Sequence, residues 1–285
     1  MQNSIIFDLE ACIGCGLCAK ICGSMIITMD GKTPTVSRPA LCHSCGHCAA
    51  ICPEGAITSN HTGNDRAFQV SVPAEGLDPV ELLLRKKRSV REFKEKPLEQ
   101  DVVQRLVAYA EKAPSSGNNR QRIYCVVTDR ARIKQLEKAV VEAHRSFLYL
   151  LHPWLIQAIK GFNLKMSEGL QGIRVDIQHM QTAFEQGLNP IFKEAPCVIF
   201  IAAPSGDIQA QDDCIIAQQY MMLYGETQGI GSCINGYAQY VHKAVERFLD
   251  LPKGYRMYSA GIFGYSRYAY KKEISYDKQP EILWR

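Results

Sequence analysis

The sequence contains no long apolar run, and its first residues do not have the pattern expected of a secretory leader. None of its stretches approaches the ~18 to 20 apolar residues of a membrane-spanning helix, and the richest one, residues 146–159, is broken by His152 and Pro153. The first residues do not join a basic segment to an apolar one, as a secretory signal does. We therefore expect a soluble cytoplasmic protein with no membrane partner, in a compartment that keeps thiols reduced.

Familiar nucleotide-binding signatures are also absent. There is no Walker loop, and the glycines of residues 229–236 do not complete G-x-G-x-x-G and follow a helical pattern where a strand is needed. The formal net charge is only +4 in 285 residues, without a clustered basic face. These absences argue against a nucleic-acid partner.

Cysteine, in contrast, is concentrated at one end of the chain. Of twelve cysteines, eight lie in the first 52 residues, in two runs that both read C-x2-C-x2-C-x3-C. This spacing is typical of two-cluster iron–sulfur proteins, in which the fourth cysteine of each run binds the other cluster. The sequence thus predicts two [4Fe–4S] clusters with crossed ligands: Cys12, Cys15, Cys18 and Cys52 for the first, and Cys42, Cys45, Cys48 and Cys22 for the second.

Disulfides and zinc fit these cysteines less well. Disulfide frameworks belong to small secreted chains, and zinc sites use C-x2-C pairs with longer spacers. Two histidines in the second run, His43 and His47, are predicted to be solvated loop residues, since eight thiolates already satisfy the clusters. The runs differ where Gly23 follows the first and Pro53 follows the second.

The pattern predicts two domains, residues 1–74 and residues 75–285. Turn-like residues at 60–65 and 72–76 separate them. The head, residues 1–74, carries four basic and five acidic residues, so the body, residues 75–285, holds the excess positive charge. Short apolar pieces beside the runs, at residues 5–7, 26–28 and 56–58, indicate a duplicated half-unit with strands.

The body mixes helical and strand patterns. Helical spacing covers residues 79–87, 99–113 and 212–228, the last ending at Gly229, and β-branched residues favour strands at 123–128 and 197–202. Residues 160–192 contain four glycines and little sustained pattern. This weak pattern indicates either a mobile lid or two irregular surface helices, and the second is the commoner structure.

Three short motifs of the body suggest a bound cofactor. Residues 87–93 read Lys-Arg-Ser-Val-Arg-Glu-Phe, residues 113–121 are rich in serine and asparagine, and residues 229–236 contain three glycines. Guanidinium groups beside a hydroxyl suit a phosphate and a polar ring edge. Small residues let the backbone approach a planar cofactor closely.

In that order the motifs resemble the nitroreductase family of FMN enzymes, over residues 79–285. Residues 189–200 look like the entry to the family's central strand, and Gly264 and Tyr265 look like its tail. With its head, the chain resembles ferredoxin–nitroreductase fusions of anaerobic bacteria. The resemblance implies an α+β fold: a bacterial ferredoxin-like head, then a homodimeric body with a mostly antiparallel central sheet flanked by helices.

The resemblance also implies which residues contact FMN. Arg88, Ser89 and Arg91, with Lys87 as a further candidate, would face the flavin from one subunit. The other subunit would contribute Pro114, Ser115, Ser116 and Asn118. The backbone near Gly231 and Ser232 would meet the N5 edge of the flavin, and the phosphate would bind a basic residue of the tail, which is Arg267, Lys271 or Lys272. The cysteines outside the runs, Cys125, Cys197, Cys214 and Cys233, are expected to be inert thiols.

The implied activity is an oxidoreductase. Electrons from a donor protein such as a ferredoxin or a reductase would cross the clusters to FMN and reduce a small planar acceptor, for example a nitroaromatic or a quinone. No side chain stands out as a general acid, so the catalytic residue is unassigned and the flavin N5 is the expected reactive atom. Two alternatives stay open: a reductive dehalogenase or other flavin chemistry on the same scaffold, and a non-enzymatic electron carrier or redox sensor.

Overall fold

The computed structural model describes residues 5–59, 68–276 and 280–285. The chain forms two compact units: the cysteine unit, Met1–Glu92 with Arg267–Arg285, and the sheet unit, Phe93–Ser266. The predicted turn at 60–65 lies outside the described residues. The domain boundary after residue 74 stays a prediction. In the structure, residues 75–92 and the C-terminal segment pack with the cysteine unit.

The cysteine unit is built from short antiparallel strand pairs and short helices. In it β1 pairs with β4, β2 with β3, and β5 with β10. The elements are β1 (Ile5–Phe7), α1 (Leu17–Ile21), β2 (Ile27–Asp30), β3 (Thr33–Val36), α2 (His47–Ile51), β4 (Ile57–Ser59), β5 (Phe68–Ser71), α3 (Pro79–Lys86) and β10 (Glu273–Tyr276). The predicted half-unit strands are therefore present, and the chain end returns to pair with β5.

The sheet unit contains a four-stranded sheet in the order β6-β7-β9-β8, in which every strand pair is antiparallel. The strands are β6 (Ile123–Val127), β7 (Cys197–Pro204), β8 (Ile230–Ile234) and β9 (Tyr255–Tyr265). Its helices are α4 (Gln100–Ala110), α5 (Arg130–Phe147), α6 (Pro153–Lys160), α7 (Leu164–Glu185), α8 (Ala210–Thr227), α9 (Gly236–Tyr240) and α10 (His242–Leu249). The predicted α+β fold class is confirmed.

The core of the sheet unit centres on β7. Its residues from Cys197 to Ala203 are all buried, which explains why the strand reads as a continuous apolar run. Residues of α4 and α8, including Leu106 and Met221, pack in the same cluster as Ile199 and Phe263. Helix α8 ends where the sequence predicts, because Gly229 adopts a left-handed conformation with φ 69°.

Residues 160–192 differ from the expectation of a lid or two irregular helices. They contain one 22-residue helix, α7, whose N-cap Asn163 accepts a hydrogen bond from the Met166 amide. Gly169 and Gly172 lie within it, and a Cβ at either position would meet nothing within 4 Å. The buried residues Ile177 and Met180 anchor the helix, so tertiary packing overrides the low helix propensity of its glycines.

None of the helices in the described residues combines the length and the apolar composition that a membrane-spanning helix needs.

Candidate functional site

The two cysteine runs fold in the same way. Gly16 and Gly46 are the N-caps of α1 and α2 and have nearly identical left-handed conformations, with φ 70° and 69°. In each run the third cysteine lies in the first turn of the helix and the fourth is the C-cap. The left-handed residue turns the loop into the helix, which suits glycine because it has no Cβ.

The four cysteines predicted for the first cluster line one cavity. Cys12, Cys15, Cys18 and Cys52 all line this cavity, which opens to solvent. The remaining lining is mainly apolar, including Phe7, Leu17, Met29 and Ile57. Four thiols around an apolar cavity form the donor set that a cubane cluster requires, so these residues fit the group.

The second predicted set is also brought together. Burial is the largest cause of the raised pKa of the Cys48 thiol, and Cys45, Cys22 and Cys42 lie close enough to raise it further. A thiol held in its protonated form by burial ionises when a metal cation takes the place of its proton. Cys22 from the first run therefore stands beside three cysteines of the second.

Within the described ranges, no three His, Cys, Asp or Glu side chains are arranged to hold one metal ion. In a cubane cluster each thiolate binds its own iron, whereas the four ligands of a structural zinc site converge on one ion.

His47 departs from the prediction of a solvated loop residue. Its side chain is buried, with 7% exposure, whereas His43 is exposed as expected. Burial and then the positive charges of Arg91, Arg88 and Lys87 lower the pKa of His47 to about 4. The ring lies 5.5 Å from that of Tyr270 in the C-terminal segment. The prediction was wrong because the burial comes from segments distant in sequence.

The arginine segment predicted to contact FMN belongs to the cysteine unit. Arg88, Ser89 and Arg91 are all partly buried. Lys87 Nζ donates to the carbonyl of Arg88 at 2.7 Å, and Arg88 Nη1 donates to the carbonyl of Lys87 at 2.7 Å. The segment therefore carries several positive charges close together, and the side chains of Lys87 and Arg88 hold its backbone through hydrogen bonds to each other's carbonyls.

Two of the three tail residues predicted for the FMN phosphate, Arg267 and Lys272, make hydrogen bonds within the same unit. Lys272 Nζ donates to the carbonyl of Cys52 at 2.8 Å, and the Arg267 amide donates to the carbonyl of Glu92 at 3.0 Å. Arg267 is exposed. Lys272 is thus next to a predicted cluster ligand, a position that the family resemblance does not indicate.

The serine loop, residues 114–118, lies in the sheet unit. Ser116 and Asn118 are exposed, Ser115 is partly buried, and Gly117 and Asn118 have left-handed backbones with φ 55° and 53°. The Asn118 amide donates to the carbonyl of Ser115 at 2.9 Å. The loop is therefore held by its own hydrogen bonds while it displays hydroxyl and amide groups that suit a polar heterocycle.

Two residues that the sequence reasoning did not select hold this loop in place. The Ser116 amide donates to both carboxylate oxygens of Asp213, at 3.1 and 3.2 Å. The buried Arg122 donates to the carbonyls of Ala113, Pro114 and Asp213 at 3.1 to 3.3 Å. Asp213 lies in the first turn of α8, about a hundred residues away, so no local pattern could have identified the pair.

The third predicted group is in β8. Gly231 and Ser232 are buried and pair with Gly264 and Phe263 of β9. The serine loop and β8 both offer hydroxyl and backbone amide groups, which are the kinds of group that bind a flavin.

Two cysteines outside the runs have raised pKa values. Burial raises the pKa of Cys197 and of Cys214 to about 12, so these thiols stay protonated, as predicted for inert cysteines.

A buried carboxylate supports the segment between α7 and β7. Glu137 of α5 accepts from the Ile191 amide at 2.9 Å, and Asn235 Nδ2 donates to the Ile191 carbonyl at 2.8 Å. Burial raises the pKa of Glu137 to about 7. No local pattern marks this carboxylate, because its partner lies 54 residues away.

Two family profiles match this chain. The profile of the nitroreductase family matches residues 84–265, more than half of the chain, and that of a 4Fe-4S dicluster domain matches residues 11–57. The predicted boundary after residue 74 lies between the two matched ranges. No curated protein sequence matches the chain.

Solved structures share the fold. A nitroreductase with bound FMN from Bacteroides fragilis is 16% identical, with a TM-score of 0.52 over 67% of this chain and 89% of that one. An FMN-dependent nitroreductase from Mycobacterium smegmatis, in complex with NADPH, is 23% identical, with a TM-score of 0.50 over 66% and 87%. An iodotyrosine deiodinase bound to FMN and 3-iodo-L-tyrosine is 18% identical, with a TM-score of 0.51 over 72% and 97%.

Proposed function

Because the chain belongs to the nitroreductase family and carries a 4Fe-4S dicluster domain, we propose that it is an FMN-dependent oxidoreductase fed through two [4Fe–4S] clusters. Its electrons reduce a flat acceptor such as a nitroaromatic or a quinone. When bound, the clusters supply one-electron steps and FMN supplies the exchange between one and two electrons. The protein positions these groups and sets their environment.

The observation that carries the proposal is the crossed arrangement of cysteines. Cys52 of the second run lines the cavity of Cys12, Cys15 and Cys18, while Cys22 of the first run acts on Cys48 of the second. Disulfides or two separate zinc sites give no reason for this exchange. Two clusters in one small unit do, because the fourth ligand of each is supplied by the other run.

For FMN we propose the residues that the family resemblance indicates. Their chemistry supports this assignment: cations and a hydroxyl in the arginine segment, exposed polar groups on the serine loop, and small residues in β8. Arg122 and Asp213 act as positioning residues, since they fix the backbone of Pro114 and Ser116. The FMN phosphate would be met by Arg267 or Lys272.

The assembly that supports this function is a homodimer in a reducing compartment, the cytoplasm. Its electron donor would be a small redox protein such as a ferredoxin. Cys15 and Cys45 are exposed while the third cysteine of each run is buried. One corner of each cluster would then lie close to the surface, which suits electron entry from a docked protein.

An anaerobic assay tests the proposal. The holoprotein would be given reduced ferredoxin, NADH or NADPH, with nitroaromatic, quinone and halogenated aromatic acceptors. We expect turnover with reduced ferredoxin and a nitro or quinone acceptor, and a loss of that turnover in Cys52→Ala. Cys125→Ala is the matched control, because Cys125 lies outside both runs.

Other outcomes of the same assay would identify the alternatives. Turnover confined to halogenated acceptors would make the chain a reductive dehalogenase, an activity class represented by the deiodinase that shares its fold. Reduction of both cofactors without turnover of any acceptor would favour an electron carrier or redox sensor. Equal ferredoxin-driven turnover in Cys52→Ala and in the unaltered protein would contradict entry through the clusters.

A further inference from the structure

The two cysteine runs differ at the residue after the fourth cysteine, which is Gly23 in the first and Pro53 in the second. The backbone does not account for the difference. Cys22 has φ −66° and ψ 107°, and Cys52 has φ −65° and ψ 118°, and both conformations suit a residue before proline. The conformation of the preceding cysteine therefore gives no reason for glycine at position 23.

The space beside Gly23 is taken by Arg91. A Cβ on Gly23 would lie 3.0 Å from Nε of Arg91 and 3.1 Å from its Cδ and Cζ, which is closer than side chains normally pack. The guanidinium therefore rests against the bare Cα of Gly23. Glycine at this position allows a cation to reach the segment that begins with Cys22.

The same guanidinium reaches the second run. Its Nη1 lies 3.5 Å from Nδ1 of His47 and 3.4 Å from the carbonyl oxygen of Ser89. His47 precedes Cys48, so Arg91 adjoins both chain segments that supply the second cysteine set. The positive charges of Arg88 and Lys87 also reach His47. At the first set, Lys272 contacts the carbonyl of Cys52.

We propose that Arg91 raises the reduction potential of the cluster held by Cys42, Cys45, Cys48 and Cys22, making it the cluster that is reduced first. The inference rests on the proposed function, because it requires both clusters. Reduction adds one electron from a low-potential one-electron donor, without bond formation or proton uptake. The reduced cluster carries one more negative charge, and a nearby cation stabilises that form more than the oxidised one.

A redox titration of the holoprotein, followed by electron paramagnetic resonance of the reduced clusters, tests this. In Arg91→Gln, the ratio of reduced to oxidised cluster at a fixed potential should fall about tenfold for the couple with the higher midpoint, a shift of about 59 mV for one electron. Lys272→Gln should move the lower midpoint instead. Arg91→Lys, which keeps the charge, should restore most of the higher one.

Two further variants separate the position of the Arg91 charge from a general loss of positive charge and from loss of flavin. Arg85→Gln removes an arginine of the same unit that pairs with Glu81 and Glu273, and it should move neither midpoint. Gly23→Ala keeps Arg91 but requires its guanidinium to shift by a few tenths of an ångström, so it should lower the higher midpoint by less than Arg91→Gln does. Measurement of the FMN content of each variant shows whether a shift in midpoint comes from loss of flavin, and we expect Gly23→Ala to keep its FMN because it keeps the arginine.

The outcomes separate this inference from the proposed function. If iron analysis finds fewer than two clusters in the unaltered protein, the proposed function fails. If both clusters are present and Arg91→Gln leaves the higher midpoint unmoved, or moves the lower one, the role of Arg91 is overturned while the proposed function stands.

Discussion

The two compact units are stabilised by different means. Among the described residues, one buried cluster of the sheet unit has sixteen members, including Leu106, Met221 and Phe263. A buried cluster of the cysteine unit has eight, and three of these are the predicted iron ligands Cys18, Cys42 and Cys48. Because so much of this smaller cluster is cysteine, metal ligation should supply a large part of the stability of the cysteine unit. Folding of the cysteine unit should therefore be coupled to cluster assembly, and that of the sheet unit should not.

Removal of iron should cause the largest difference in stability between the two units. After anaerobic chelation, we expect the amides of β2 and β3 to lose protection in hydrogen exchange, since the unit loses its metal ligation. The amides of β7 and β9 should stay protected, because their core is apolar. Return of iron and sulfide should restore the first set. Equal loss of protection in both units would show that they unfold together.

Exchange of single cysteines should have the next largest effect. In Cys22→Ala we expect iron to fall from about eight to about four per chain, with loss of the cluster of the second run. Cys52→Ala should lose the cluster of the first run by the same amount. Spectra of the two variants compared with the unaltered protein would decide which cluster remains. Loss of the neighbouring cluster in each variant would contradict the crossed assignment.

The N-cap glycines sharpen the comparison within the cysteine unit. Gly16→Ala and Gly46→Ala should both cost about 1 to 2 kcal/mol, because alanine is strained at positive φ. At Gly46 a Cβ would also lie 3.1 Å from Ile274 and 3.2 Å from Phe68, whereas at Gly16 the nearest atom is 3.8 Å away. Overpacking should add about 1 to 3 kcal/mol to Gly46→Ala alone.

Thermal unfolding of the two glycine variants, followed by loss of cluster absorbance, provides the measurement. The melting temperature should fall further in Gly46→Ala than in Gly16→Ala. Equal decreases would mean that the C-terminal segment does not cover the second run as tightly as its contacts with Gly46 indicate.

An effect as small as that of Gly16→Ala is expected in the sheet unit, and it depends on pH. Burial raises the pKa of Glu137 to about 7, so the folded state holds a proton that the unfolded chain releases near pH 4.5. Its contribution is fully present below that pH and is lost as the pH rises through about 7, by about 1 to 3 kcal/mol. Glu137→Gln keeps an acceptor for the Ile191 amide and should remove this dependence.

Urea midpoints of the sheet unit, read from pulse-labelled amides of β7, would measure the effect at about pH 5.5 and about pH 8. The unaltered protein should lose more stability between these values than Glu137→Gln. Parallel changes in the two proteins would assign the pH dependence to other groups.

Local patterns in the sequence predicted much of this molecule, and long-range contacts account for what they missed. The cysteine spacing indicated both ligand sets, the helical spacing indicated α4 and α8, and the run of β-branched residues indicated β7. The burial of His47 was not predictable, because Tyr270 and its segment lie more than two hundred residues further along. The supports of the serine loop were missed for the same reason, since Asp213 and Ser116 are 97 residues apart.

The continuous helix α7 shows the complementary case. Its glycines weaken the local helical pattern, yet Ile177, Met180 and Ala183 form a buried face that decides the structure. Propensity within a window cannot report a partner surface elsewhere in the chain. Predictions of this kind are therefore strongest where a motif carries its own chemistry, as the cysteine runs do.

The most direct test of the central claim is an anaerobic reductive titration of the holoprotein with dithionite. Two one-electron clusters and one two-electron flavin should together take up about four electrons per chain. Electron paramagnetic resonance should detect both reduced clusters by the end of the titration. Uptake of about two electrons, with only the flavin absorbance bleached, would contradict the account.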